Sequence, residues 1–259
     1  MGPPAILVEV VGFVVVDADL VHHQPMSDGW QPPTPSALDD TVWPETLVAK
    51  AVKPGAQDDW LHGYSVLEDL ARHFEFSEVL YLAITGELPD PVSASRFRVA
   101  MIALAPMAVH EAPTHIALLS RICGGAIASA LGAGLVAVAD QARFKIEAQR
   151  DLIAWMNSPV SSPPQTACAT TPDETAWVRT LRLAVPDAEL VRPELCRDAA
   201  CVALLFEAGI RTPEQLEAAF IASRFCGLAA ETLRSGPTDL QSYPVKLPPF
   251  HYVEGKVDP

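Results

Sequence analysis

The sequence predicts a mainly α protein: a large helical domain, a reduced second part, and a short N-terminal arm of β-type or extended character. Three observations predict it. From about Leu47 onward, apolar residues recur at three- and four-residue spacing. The 24 prolines cluster in the N-terminal arm, in one internal break and in the tail, and rarely interrupt the helical segments between. Finally, 259 residues with 49% apolar and 19% charged composition can bury a sizeable core and exclude disorder throughout.

Taken in order, residues 5–16 (AILVEVVGFVVV) are Val-rich and read as a strand. Residues 22–38 carry Pro25, Pro32, Pro33 and Pro35 and read as an extended arm. Segments 66–73 and 77–85 have helical spacing, with Ser77 as the expected cap of the second and Glu78 in its first turn. Gly86 ends that helix, and Pro89 and Pro91 mark a loop. Residues 93–109 form a helix interrupted near Pro106. Residues 114–139 are helical with a break at Gly124–Gly125, and residues 142–156 are amphipathic.

The Ser/Thr/Pro tract 157–175 is the clearest internal break. Helices follow at 176–184, at 193–209 with an apolar face of Leu195, Val202, Leu205 and Phe206, and from Thr212 to about Phe225. Thr212 caps this last helix and Pro213 opens it. The tail from Gly236 is extended.

A formal charge of −14 speaks against nucleic acid and anionic membrane surfaces as partners, because phosphate binding needs clustered Lys and Arg. A small anionic ligand needs only a few local cations. No secretory signal is read at the N-terminus, since no basic residues precede the apolar run. The uncharged stretch 122–139 is rich in Gly and Ala, too weakly hydrophobic for a membrane span, and reads as a buried helix. The five cysteines lack metal spacing and read as buried reduced thiols of a cytoplasmic protein; no metal is expected.

Three segments together resemble the citrate synthase family, including its citryl-CoA lyase relatives. In residues 59–89, Gly63–Tyr64, Phe76, Glu78–Val79 and Gly86–Glu87–Leu88–Pro89 keep the family's order and spacing, with His62 where the family usually has Arg. In residues 110–139, His110–Glu111, Arg121 and the run GLVAVA are similar to the family's His element, following Arg and Gly/Ala-rich helix. In residues 197–233, Arg197–Asp198, the turn LLFEAG and Ser223–Arg224 through Gly227 fit the third.

The resemblance implies a citrate synthase-like large helical domain over 46–146 and 193–243. A reduced small domain or linker would occupy 147–192, the arm 1–45, and an extended tail 244–259. It also implies carbon–carbon bond formation between an acyl-CoA and a 2-oxo acid, or cleavage of a citrate-like thioester. No permanently bound cofactor is expected, with acyl-CoA as co-substrate. Asp198 would be the catalytic base; His110, Arg224 and Arg121 would bind the oxo-acid substrate. Where the family carries its His-Gly-Gly-Ala element, this sequence has Arg143–Phe144–Lys145–Ile146, and the family's second catalytic histidine has no counterpart in 147–193. The active site is therefore altered, and the donor for the thioester oxygen is unassigned.

Each residue also has a structural reading. Asp198 suits a helix N-terminus, Arg224 suits a snorkelling residue or an ion-pair partner, and His110 suits a satisfied core or cap histidine. The alternative function is a non-catalytic homologue that binds a carboxylate, or that pairs with an intact paralogue and regulates it. The small-residue helix implies a homodimer.

Overall fold

The computed structural model describes residues 48–159 and 162–234. The strand and proline arm expected in residues 1–45, and the extended tail expected from Gly236, lie outside the described residues. Within them the protein is mainly α, as the sequence predicts.

The described chain opens with a small antiparallel meander. Strands β1 (Val52–Lys53), β2 (Trp60–Leu61) and β3 (Tyr64–Ser65) pair Val52 with Leu61 and Leu61 with Tyr64. His62 and Gly63 both have positive φ (48° and 88°) and make the two-residue turn between β2 and β3. Ser65 then accepts from Glu68 N at 2.9 Å and caps a π-helical turn, Val66–Leu70. That turn continues into the short α1 (Ala71–His73).

Helix α2 (Phe76–Thr85) is capped by Glu75, not by Ser77. Glu75 and Glu78 form a reciprocal capping box, with Glu75 N donating to Glu78 at 2.7 Å. Ser77 is already helical and has no cap to make. Gly86 closes the helix at φ 83°, its N–H donating to Leu82 O at 2.8 Å. Pro91 opens α3 (Pro91–Leu104) instead of marking a loop. Asp90 accepts from Val92 N and Ser93 N, and proline at the first helical position loses no hydrogen bond.

Helices α4 (Ala112–Ile122) and α5 (Ile127–Ala148) flank the Gly124–Gly125 turn. α5 is one continuous helix where the sequence suggested two, and at Gln149 it passes into α6 (Arg150–Met156). Thr171 caps α7 (Pro172–Ala184). The last two helices are α8 (Arg197–Glu207) and α9 (Pro213–Arg234); α9 runs past Phe225, and Thr212 Oγ1 accepts from Gln215 N at its start.

The main core gathers around α8. Residues Ala199 through Phe206 are all buried, so this helix is enclosed on every side and not only along one face. Phe97, Leu204 and Leu205 lie at its centre, at 0–1% exposure. α5 packs most extensively against α4 and α9, and Met107, Ala117, Val138 and Leu228 form a second, smaller core there. No helix among the described residues is long and apolar enough to cross a membrane. The thiols differ from expectation: Cys201 is buried, but Cys123 and Cys226 are exposed.

Candidate functional site

A cleft of about 290 Å³ opens between the C-terminal end of α3, α5, α7, and the facing sides of α8 and α9. Leu104, Trp177 and Phe220 supply apolar wall, and five charged side chains converge on it: Glu111, Lys145, Arg197, Asp198 and Arg224.

Asp198 sits in the first turn of α8, where the helix dipole favours a carboxylate. Its Oδ2 lies 2.5 Å from Lys145 Nζ, and the two side chains are 41% and 32% exposed. Lys145 comes from α5, one turn after Gln141, and four-residue spacing puts both on one face of that helix. Gln141 Nε2 donates to Glu111 Oε2 at 3.1 Å.

Arg224 reaches the cleft from α9 with its side chain only 9% exposed. It donates to the Pro106 carbonyl and to Glu111, and a longer 3.5 Å contact runs to Gln141 Oε1. Glu111 also accepts from Ala108 N at 2.8 Å. Burial pushes the Glu111 carboxyl up, but the bonds from Ala108 and Gln141 and the charges of Arg224 and Lys145 outweigh it. The group is held below the usual carboxylate value. Arg197 lies over the Trp177 ring, 5.0 Å from its centroid. Cys201 lines the floor, and its thiol is pushed up to about 12, mainly by burial. It is therefore protonated at neutral pH and is no nucleophile.

Of the residues singled out in the sequence, the cleft brings together Asp198 and Arg224. His110 is exposed in the turn before α4 and is not among the lining residues. Arg121 also lies away from the lining: its Nη1 donates to Gly125 O at 2.9 Å and fastens the turn between α4 and α5. Lys145, Glu111 and Gln141 were not picked out as site residues. Lys145 stands in the stretch that replaces the family's histidine element and shares a helix face with Gln141; Glu111 counted only as the neighbour of His110, and its pairing with Arg224, 113 residues away, leaves no local trace.

A larger cavity of about 500 Å³ borders α5, α6 and the start of α9. Its cations pair within their own helical stretch, Arg143 with Asp140 at 3.2 Å and Arg150 with Glu147, so it offers less to an anion than the smaller cleft. Among the described residues no group of three or more His, Cys, Asp or Glu could hold a metal ion.

No protein-family profile and no curated protein matches the sequence. Solved structures do share the fold. Citryl-CoA lyase from Hydrogenobacter thermophilus superposes with a TM-score of 0.54 at 16% identity, covering 80% of this chain and 96% of that one. ATP citrate lyase from Methanothrix soehngenii, in complex with citrate and coenzyme A, gives 0.52 at 15% identity over 90% of this chain. That of Methanosaeta concilii, a variant in complex with (3S)-citryl-CoA, gives 0.52 at 15% over 89%. This chain spans about half the length of the two ATP citrate lyases, 48% and 47%. The chain has the citrate synthase-like fold of these structures.

Proposed function

We propose that this chain makes or breaks a carbon–carbon bond between an acyl thioester and a 2-oxo acid, at the cleft holding Asp198 and Arg224. The observation that carries the reading is the meeting of a carboxylate base, an ammonium 2.5 Å from it and two guanidinium groups, Arg197 and Arg224, in one small cleft. The shared fold supports it.

The chemistry follows from the groups. In the bond-forming direction Asp198 takes a proton from the α-carbon of the acyl thioester, and the C–H electron pair moves into an enolate. Lys145, next to the base, donates to the oxygen on which negative charge develops and fills the role that no histidine of the cleft can fill. The enolate carbon attacks the oxo carbon; the C–C bond forms, the carbonyl π pair becomes an alkoxide that takes a proton from water, and Asp198 gives its proton back to solvent. Arg197, which has no carboxylate partner among the described residues, holds the oxo-acid carboxylate, while Arg224 stays on Glu111. Bond breaking runs through the same steps in reverse and releases acyl-CoA; it is a co-substrate in one direction, a product in the other, and a resident cofactor in neither.

The test is incubation of the purified chain with acetyl-CoA and short 2-oxo acids. The adduct thioester is followed by mass spectrometry, and α-proton exchange in heavy water is followed without the oxo acid. Both are expected in the wild type and lost in Asp198→Asn. Absence of adduct and exchange in the wild type rejects the bond-forming reading.

The second reading, a non-catalytic carboxylate-binding homologue, is favoured by one observation: no histidine is among the residues lining the cleft. It expects calorimetric binding of a carboxylate with no turnover. In both readings we propose a homodimer, with a second copy covering the outer face of α5 around the exposed Val136 and Phe144. An acyl-CoA substrate and free thiols fit a cytoplasmic setting.

A further inference from the structure

We infer that the cleft is set for a monocarboxylic 2-oxo acid, and that Glu111 imposes this limit by occupying Arg224. The inference rests on the carboxylate-binding reading above and names the substrate class of that same site.

Three cations line the cleft (Lys145, Arg197 and Arg224) against two carboxylates (Glu111 and Asp198), which leaves one surplus positive charge. Arg224 is not that charge. It is almost fully buried and already serves the Pro106 carbonyl, Glu111 and Gln141. Glu111 is held in turn by Ala108 N, Gln141 Nε2 and the guanidinium, so it does not swing away without leaving these donors unmet. A ligand carboxylate directed at Arg224 meets the Glu111 carboxylate in a half-buried site, where like charges repel with little solvent screening.

Lys145 lies against Asp198 and in the proposed reaction serves the thioester oxygen, not the oxo-acid carboxylate. Arg197 remains, stacked on Trp177 and without a carboxylate partner among the described residues. One ligand carboxylate therefore finds one free guanidinium. The rest of the ligand faces Leu104, Trp177 and Phe220, which suit a short hydrocarbon end better than a second charge.

The test is calorimetry with 2-oxobutyrate and oxaloacetate, which have equal chain length and differ by a methyl group against a carboxylate. The wild type is expected to bind 2-oxobutyrate about tenfold more tightly or better. Glu111→Gln frees Arg224 and is expected to reverse the order. Arg197→Gln, at an exposed position, is expected to weaken 2-oxobutyrate binding. Tighter binding of oxaloacetate by the wild type overturns the inference and leaves the carboxylate site standing. So does an unchanged ratio in a Glu111→Gln protein with native circular dichroism. If that variant does not fold, the wild-type ratio decides alone. Binding of neither ligand by the wild type rejects the carboxylate site itself, and this inference with it.

Discussion

Lys145 is the residue whose role the tertiary structure changes most. In the sequence it stands in a stretch that replaces a histidine element; in the fold its ammonium meets Asp198. Lys145→Met removes a donor at developing negative charge and is expected to lower adduct formation by about 10²–10³. Lys145→Arg, which keeps the charge, should retain part of the rate. The single-turnover rate measures both. Glu111 gives a pH signature. Its folded-state value lies below its ordinary 4.5, so its contribution to stability is fully present above 4.5 and is lost as pH falls through the lowered folded value. The stability difference between wild type and Glu111→Gln, from urea melts, is expected to be constant at neutral pH and to shrink below 4.5. Cys201, buried and held as the thiol, should resist alkylation until the chain unfolds, whereas the exposed Cys123 reacts in the native state. Mass spectrometry of the labelled peptides distinguishes the two.

At the level of elements, the cleft depends on how closely α9 approaches the end of α3. A Cβ on Gly227 would meet the Ala105 carbonyl, and Met107 N at 2.9 Å. Gly227→Ala gains about 1 kcal/mol of helix propensity. Overpacking of this kind costs about 1–3 kcal/mol, and here the obstacle is backbone that no rotamer change can clear. With backbone as the obstacle the cost lies at the upper end and wins, and the variant is expected to be less stable in urea by up to about 2 kcal/mol. It should also loosen the hold of Arg224 on Glu111, because the displaced segment carries the Pro106 carbonyl to which Arg224 donates. The elements were largely legible: α2 with its Gly86 stop, and α9 with Thr212 and Pro213 at its start, follow from local chemistry. Two start signals were misread for local reasons. A glutamate box outcompeted Ser77, and Pro91 serves as a helix opener as readily as a loop marker.

At the level of the whole molecule, the proposed dimer follows from α5. Its inner side packs on α4 and α9, while Val136 and Phe144 stay 73% and 76% exposed on the outer side. Light scattering is expected to give twice the 27.8 kDa chain mass, and Phe144→Glu is expected to shift it toward the single chain. A single-chain mass for the wild type at micromolar concentration would reject the dimer. The net charge of −14 bears on ligand choice at this scale as well: the general field repels anions, so any anion selected must find its cation locally, as the cleft provides at Arg197.

The sequence by itself determined the helical class, the ends of several helices, and the order of segments that resembles citrate synthase, because these rest on spacing and capping between near neighbours. It also pointed to Asp198 and Arg224. Only the tertiary structure decided that these two share a cleft while His110 and Arg121 lie outside it. Only there does Glu111 take hold of Arg224 and Lys145 of Asp198, across 113 and 53 residues of chain. Pairs so far apart leave no periodic or local trace in a sequence; they exist once α5, α8 and α9 are packed, and their distances then set which charges remain for a ligand.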